Sequence, residues 1–518
     1  MRIQRTRNAT RNIFWGILFR LVVTLGPFLM RTVLLYILGV EYLGLNSLFT
    51  SLLSFLSLAE LGIGNAMVYA MYKPVAQDDD EAICALLKLY KKLYQIIGTI
   101  ILVIGLCILP FVEKLVHGSF PADINPYILF CIYLFNTVIS YFMFGYKQSI
   151  LMAFHRNDII SKRATILRIL MYSVEALMLI WTKNYYFYIM ALPLYNIFTN
   201  IANSIIVDKQ YPQYKCRGEV PKEVSAQIKR NVLSLIGNKL NDIVLNSSNN
   251  LVISIFMGLS MVAIYDNYYY VFNAVVGVAV IIYTSLTAGL GNSIELETIE
   301  KNYQDFKVLT FMNSWFITWC TACLLCLLQP FMEIWVGKKL MFSTVAVIWF
   351  AVYFYALESE KIVLTYKDAA GIWWQDRFRP YVVMAINLIL NIVLIQVMGV
   401  TGIIIATIIG LMISIPWSGY ILHKNLFKKS AQGYFLMYLK YLLIAVIICT
   451  ITYAVCSLVS GGKYVQLIVR LIICCIVPNV LFFIFNMKNS EMKASLERVK
   501  GMTNKVLKKS EDKVDERK

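Results

Sequence analysis

Five polar side chains interrupt a stretch that is otherwise apolar enough to cross a bilayer. The middle of residues 230–257 reads GNKLNDIVLNSSNN, in which Lys239, Asp242, Asn246, Asn249 and Asn250 recur at spacings of three, four, three and one. On a helix these positions share one broad face, with Asn238 at its edge. A charge at bilayer mid-depth costs about 2.5–3.5 kcal/mol on insertion scales, so such side chains must meet water or one another. The face is a candidate wall of a solvated pathway. The competing reading pairs Lys239 with Asp242 as a neutral ion pair inside a packed bundle. Interhelical hydrogen bonds, worth about 0.6 kcal/mol each, then absorb one or two amides and leave the rest without a role.

Further candidates precede this stretch. Arg20, Thr24, Pro27 and Arg31 follow one another at four, three and four, again on one face. Pro27 removes a backbone hydrogen bond and, with Gly26, predicts a kink. Two arginines along a bent helix make an anion receptor; alternatively each snorkels to the nearer interface. Glu60, in LSLAELGIGNAMVYAMYKP beside Gly62, Gly64 and Asn65, is expensive in a membrane. It either carries a proton or is ionised against an arginine of the first span. Glu175 is a second intramembrane acid, and with Glu60 and Asp242 it is a candidate site for ion coupling. Glu358 and Lys361, three apart, predict an interfacial salt bridge with Glu360 pointing elsewhere. Cys320, Cys323 and Cys326 form a ladder on one helix. A metal site would need further thiols or imidazoles, and the three His lie elsewhere, so the ladder reads as small packed residues. No metal and no cofactor is expected.

The elements that position these residues are membrane helices. With 59% hydrophobic and only 15% charged residues and a mean hydropathy of +0.66, the 518-residue chain is all-α and polytopic. Apolar windows of roughly 20 residues recur about 14 times between residues 13 and 485. They are too long, and lack the alternation, for membrane strands. The net charge of +18 is a topology signal rather than a nucleic-acid footprint. Roughly 38 Lys and Arg fall on the side of the N-terminus and about five opposite (Lys114, Lys183, Lys338, Lys339 and Lys463), which places both termini in the cytoplasm. Basic loops there meet anionic membrane lipids. The first apolar run is too long for a cleavable signal. No external loop is long enough for an enzyme's site.

The chain divides into residues 1–207 (spans 1–6), a linker with a short amphipathic helix at 208–230, residues 231–423 (spans 7–12), residues 424–487 (spans 13–14) and a charged tail at 488–518. Aligning Arg11 with Arg230 also places Arg20 on Lys239, Gly39 on Gly258, Glu81 on Glu300 and Lys88 on Lys307. An internal repeat of six helices, with the pathway between the halves, is the expected plan, with pseudo-two-fold symmetry.

Two stretches carry a resemblance. RTVLLYILGVEYLGLNSLFTSLLSFLSLAELGIGNAMVYAMYKPVA (31–76) and DRFRPYVVMAINLILNIVLIQVMGVTGIIIATIIG (376–410) resemble the polysaccharide transporter branch of the multidrug/oligosaccharidyl-lipid/polysaccharide exporter (MOP) superfamily, the Wzx-type flippases. The resemblance implies a V-shaped bundle of two six-helix lobes plus two further helices. It implies alternating access in the bacterial inner membrane, coupling to H+ or Na+, and export of an undecaprenyl-pyrophosphate-linked oligosaccharide to the outer leaflet. Glycosyltransferases and a polysaccharide polymerase are the partners that go with that cargo. Arg20, Arg31 and Lys239 then supply cations for the pyrophosphate, and the amides and serines of the seventh span suit sugar hydroxyls. A lipid II flippase shares the need for a cationic lumen. A multidrug or cation antiporter of the same fold would want an acidic or aromatic one.

Overall fold

Leucine-, isoleucine- and phenylalanine-rich windows without period-two alternation form helices throughout. The computed structural model describes residues 5–57 and 63–497; within these, the side chains at 5–14, 17, 65, 227, 230–239, 241, 242, 246 and 288 lie outside the description. Seventeen α-helices follow in order: α1 (Arg5–Ile37), α2 (Val40–Leu56), α3 (Ile63–Ala76), α4 (Asp80–Ile108), α5 (Pro126–Phe142), α6 (Gln148–Ala153), α7 (Asn157–Thr182), α8 (Tyr185–Gln210), α9 (Lys222–Met257), α10 (Leu259–Leu296), α11 (Ile299–Trp335), α12 (Thr344–Ser359), α13 (Lys361–Ala369), α14 (Arg379–Met398), α15 (Val400–Leu422), α16 (Gln432–Ser457) and α17 (Lys463–Asn486). Among the described residues there is no strand. Side-chain caps mark several starts: Asp79, Asn125, Asn184, Thr298 and Ser343 each accept from a backbone N–H of the first turn.

Among the described residues ten helices are long and apolar enough to cross a membrane, or eleven if the pair α5–α6, bent by 50° between Phe142 and Gly145, is one span. The chain is thus a multi-pass membrane protein. The predicted spans missing from that set are the second, seventh and tenth. The second is described as two helices, α2 and α3, on either side of residues 58–62, which lie outside the description and include Glu60. The tenth is divided at Glu360 into α12 and α13. The seventh is α9, which holds a short apolar run only at Ile243–Met257. Helices α2 and α12, of 17 and 16 residues, are short for a span. The amphipathic helix expected before the seventh span is continuous with it, both lying in α9.

Turn geometry repeats along the chain. Gly39 (φ 105°) and Gly258 (φ 83°) occupy conformations that only glycine adopts readily, with ψ of −178° and 177°. The shift that carries Gly39 onto Gly258 also carries Gly118 (φ 94°) onto Gly337 (φ 79°).

By contact density the chain forms two units. The first runs through Asn267 and adds Leu388–Gly399. Its larger core gathers Leu34, Leu48, Phe49, Phe130, Tyr133, Leu179 and Tyr188; a second collects Met67, Met71, Leu87, Tyr146 and Phe154. Helix α1 packs along α7 so closely that a Cβ on Gly26 would lie 2.0 Å from the Tyr172 ring. That contact, and not only the expected kink at Pro27, accounts for the glycine. The second unit comprises Tyr268–Asn387 and the chain from Val400 onward, with a core of Phe306, Tyr366, Phe427 and Tyr434.

Candidate functional site

The first unit holds a chain of polar side chains drawn from five helices. Arg31 on α1 is buried. Its Nη1 donates to Asp266 Oδ2 at 2.6 Å, and its Nε and Nη2 donate to Asn267 Oδ1 at 3.2 and 2.9 Å. Asp266 and Asn267 lie two turns into α10. Ser47 on α2 donates to the same Oδ2 at 2.6 Å. From α9, Asn250 Nδ2 reaches Ser51 Oγ at 2.9 Å and Asp266 Oδ1 at 3.4 Å. The Asp266 carboxylate therefore accepts from an arginine, a hydroxyl and an amide. Beside it, Asn249 Nδ2 donates to Tyr265 Oη at 3.0 Å, and its Oδ1 accepts from Asn391 Nδ2 of α14, also at 3.0 Å.

Close backbone approach sets this geometry. A Cβ on Gly44 would lie 2.1 Å from the Leu259 carbonyl oxygen, so only glycine lets α2 come close enough to the start of α10. Ser47 and Ser51, a helical turn apart and both buried, then face Asp266 and Asn250. The repeat is visible here too, since the shift that carries Gly39 onto Gly258 carries Arg31 onto Asn250 and Ser47 onto Asp266. Arg31 reaches the counterpart of Ser47, while Asn250 reaches Ser51, one turn from Ser47 itself.

Of the residues singled out from sequence, Arg31, Asn249 and Asn250 come together in this network. Arg31 spends its guanidinium on Asp266 and Asn267 and presents no free charge in this arrangement. Arg20 is exposed on α1 and stands apart. Glu175 is buried on α7 at 2% exposure, in the unit whose core includes Tyr133, Tyr185 and Tyr188. There Tyr133 Oη donates to Asn46 Oδ1 at 2.6 Å. The side chains of Asn238, Lys239, Asp242 and Asn246 lie outside the described residues, as does Glu60. Ser47, Ser51 and Tyr265 were missed; two serines four apart in an otherwise leucine-rich helix were the available signal for α2.

The second unit corrects another expectation. Among the described residues Glu358 makes no ion pair with Lys361; Glu360 is the paired acid. Arg379 Nη1 lies 3.5 Å from Glu360 Oε1 and donates to Ser414 Oγ at 2.6 Å, which in turn donates to Glu360 at 2.8 Å. Arg379 Nε donates to Asp376 at 2.8 Å, and Lys367 pairs with the same carboxylate. The cysteine ladder also gains partners unseen in sequence: Cys326 lies with Cys456 of α16 and Cys474 of α17, all buried, their sulfurs within 4.8 Å of one another.

The architecture defines a class. The fold is that of MOP-superfamily transporters of solved structure. The lipid II flippase MurJ in an inward closed conformation superposes with a TM-score of 0.69 at 14% identity, covering 92% of this chain and 99% of the flippase. An inward-facing multidrug resistance MATE family transporter gives 0.59 at 14% identity, covering 79% and 96%. A variant of the MATE transporter VcmN from Vibrio cholerae gives 0.58 at 12% identity, covering 82% and 98%. No protein-family model and no curated protein matches the sequence.

Proposed function

We propose that this chain is a transporter that flips undecaprenyl-pyrophosphate-linked oligosaccharide from the cytoplasmic to the outer leaflet of the bacterial inner membrane, for assembly of a surface polysaccharide such as capsule or O-antigen. The observation that carries this reading is the extent of the likeness. A match over 92% of the chain exceeds the 431 residues that precede α16, so the likeness to the lipid II flippase runs into α16 and α17; matches over 79% and 82% require no such extension. Lipid II is the cargo named for that neighbour, and the cargo proposed here is likewise a saccharide carried on a lipid.

The residues support a division of labour. With both termini cytoplasmic, the ends of α1 and α9 at Gly39 and Gly258 face outward, and the Arg31–Asp266 network closes that side. Cargo enters from the cytoplasm, where Arg20 and Lys239 meet the pyrophosphate while the lipid tail stays in the bilayer. Binding pulls partners away from Arg31 and Asn250, the network opens, and sugar hydroxyls replace its bonds. H+ or Na+ exchange at Glu60, Asp242 or Glu175 resets the cycle.

The test is transport in proteoliposomes. The wild type and an Arg20→Ala plus Lys239→Ala variant are supplied in parallel with an undecaprenyl-pyrophosphate oligosaccharide, lipid II and a small organic cation. Flipping of the first by wild type and its loss in the folded double variant support the reading. Preference for lipid II moves the assignment to that cargo, and movement of the cation alone removes it.

A further inference from the structure

We propose that the α7–α8 hairpin carries a binding site for a lipid phosphate, built from Arg163, Arg168, Thr199, Asn200 and Asn203. The inference stands on this hairpin and does not depend on the transport reading.

Only residues 183 and 184 separate α7 from α8, so the two run antiparallel. Their register is fixed by Arg168, whose guanidinium carbon lies 4.1 Å from the centre of the Tyr195 ring, and by Met171, which packs with Ala191 and Tyr195. Asn200 follows Tyr195 by five residues on α8 and Arg163 precedes Arg168 by five on α7, so Arg163 lies level with Asn200, with Thr199 beside it and Asn203 one turn beyond.

What they share is buried polar atoms with nothing to bond. Arg163 Nη1, Arg168 Nε, Thr199 Oγ1, Asn200 Nδ2 and both polar atoms of Asn203 are buried and have no hydrogen-bond partner among the described residues. Asn200 is 8% and Asn203 3% exposed. Buried donors are almost always satisfied in folded proteins, and buried guanidinium groups more so. Among the described residues neither arginine makes an ion pair: Arg156 takes Asp158 and Lys147 takes Asp208, and Glu175 lies two turns along α7 from Arg168.

The set has a chemical signature. Four of the six atoms are N–H donors, two of them on cations, and only Asn203 Oδ1 is solely an acceptor. That set excludes a cation, is too donor-rich for a sugar, and fits the oxygens of a phosphate. The surface around it is apolar: Ile166, Ile169 and Leu170 of α7 and Phe198 of α8 are 46–58% exposed. An anion joined to a hydrocarbon chain satisfies both surroundings. Two sources share this chemistry, the headgroup of an anionic bilayer lipid and the pyrophosphate of a polyprenyl carrier.

The experiment uses the full-length protein, delipidated in neutral detergent. Arginine modification by phenylglyoxal is read at Arg163 and Arg168 by peptide mass spectrometry, with and without inorganic pyrophosphate. At least tenfold slower modification at both sites is expected. Arg163→Gln with Arg168→Gln should weaken pyrophosphate binding by at least tenfold in titration calorimetry while preserving the gel-filtration profile. Should that variant fail to fold, protection of the wild type decides alone. Nanodiscs of phosphatidylcholine, of phosphatidylcholine with phosphatidylglycerol, and of phosphatidylcholine with undecaprenyl pyrophosphate then separate the sources, since protection in the second or the third names the lipid. Equal modification under every condition overturns the proposal, whatever transport assays show.

Discussion

Two buried clusters of charge, one in each unit, are built on opposite principles. In the second unit, Lys367 and Arg379 face Asp376 and Glu360: two cations, two anions, with Ser414 bridging and every member at most 8% exposed. Its charged members lie within twenty residues of one another in sequence, around the corner that joins α13 to α14. In the network of the first unit one ion pair, Arg31 with Asp266, joins residues 235 apart, and the other links of that network are amides and hydroxyls. A closed, balanced quartet cannot release one member without stranding a charge. Neutral links can be exchanged one at a time for water or sugar hydroxyls at little cost. The first arrangement fastens a corner, and the second is suited to opening.

The largest effect should therefore come from breaking the quartet. Arg379→Ala leaves Glu360 and Asp376 buried with one cation between them, and removal of one partner from a buried pair costs about 3–5 kcal/mol. Little or no monodisperse protein is expected on size exclusion. A variant that melts with the wild type would erase the distinction between the clusters.

Gly44→Ala comes next. The new methyl would lie 2.1 Å from a backbone carbonyl, which has no rotamer by which to yield, so α2 must back away from α10. Overpacking of this kind costs up to about 3 kcal/mol. It should also disconnect Ser47 and Ser51 from Asp266, lowering both the melting temperature in detergent and transport. Gly39→Ala, where nothing lies within 4 Å, is the control for backbone strain without a clash.

These features were unequally legible in sequence. The helical class followed from window length alone, and the pairing of Gly39 with Gly258 followed from an ungapped alignment, because both depend on local composition and periodicity. Arg31, Asn249 and Asn250 were found because a polar residue in an apolar window is conspicuous. Their bonding was not legible: Arg31 reads as a free receptor until Asp266 is brought to it from 235 residues away. The Glu360–Arg379 pair was missed for a related reason. Spacing along a helix favoured Glu358 with Lys361, but the helix breaks at Glu360 and turns that side chain toward α14 and α15. Spacing arguments hold only within an unbroken helix.

Asp266→Asn sharpens the contrast with less damage. It preserves size and leaves an amide for Ser47 and Asn250, but removes the charge opposite Arg31, worth about 1.5 kcal/mol for a hydrogen bond to a charged group. That energy corresponds to about a tenfold shift between closed and open forms. The variant should fold. A double-mutant cycle with Arg31→Gln should show coupling, and the transport rate should change by roughly that factor. Additive effects in the cycle would mean that the pair does not hold the network together.

The smallest effect tests whether the neutral links are individually dispensable. Asn391 is fully buried and donates to Asn249 at 3.0 Å, and an interhelical hydrogen bond in a membrane protein contributes about 0.6 kcal/mol. Asn391→Ala should lower the melting temperature only slightly, since Asn249 keeps its bond to Tyr265. Its value lies in combination. Paired with Asp266→Asn, the Asn391 change should add simply if the Asn249 branch and the Arg31–Asp266 branch open independently. If the five helices release together, the pair should instead show coupling of at least about 0.5 kcal/mol. The thermal cycle thus separates a row of independent latches from one cooperative gate, a distinction that the adjacency of Asn249 and Asn250 on α9 makes possible.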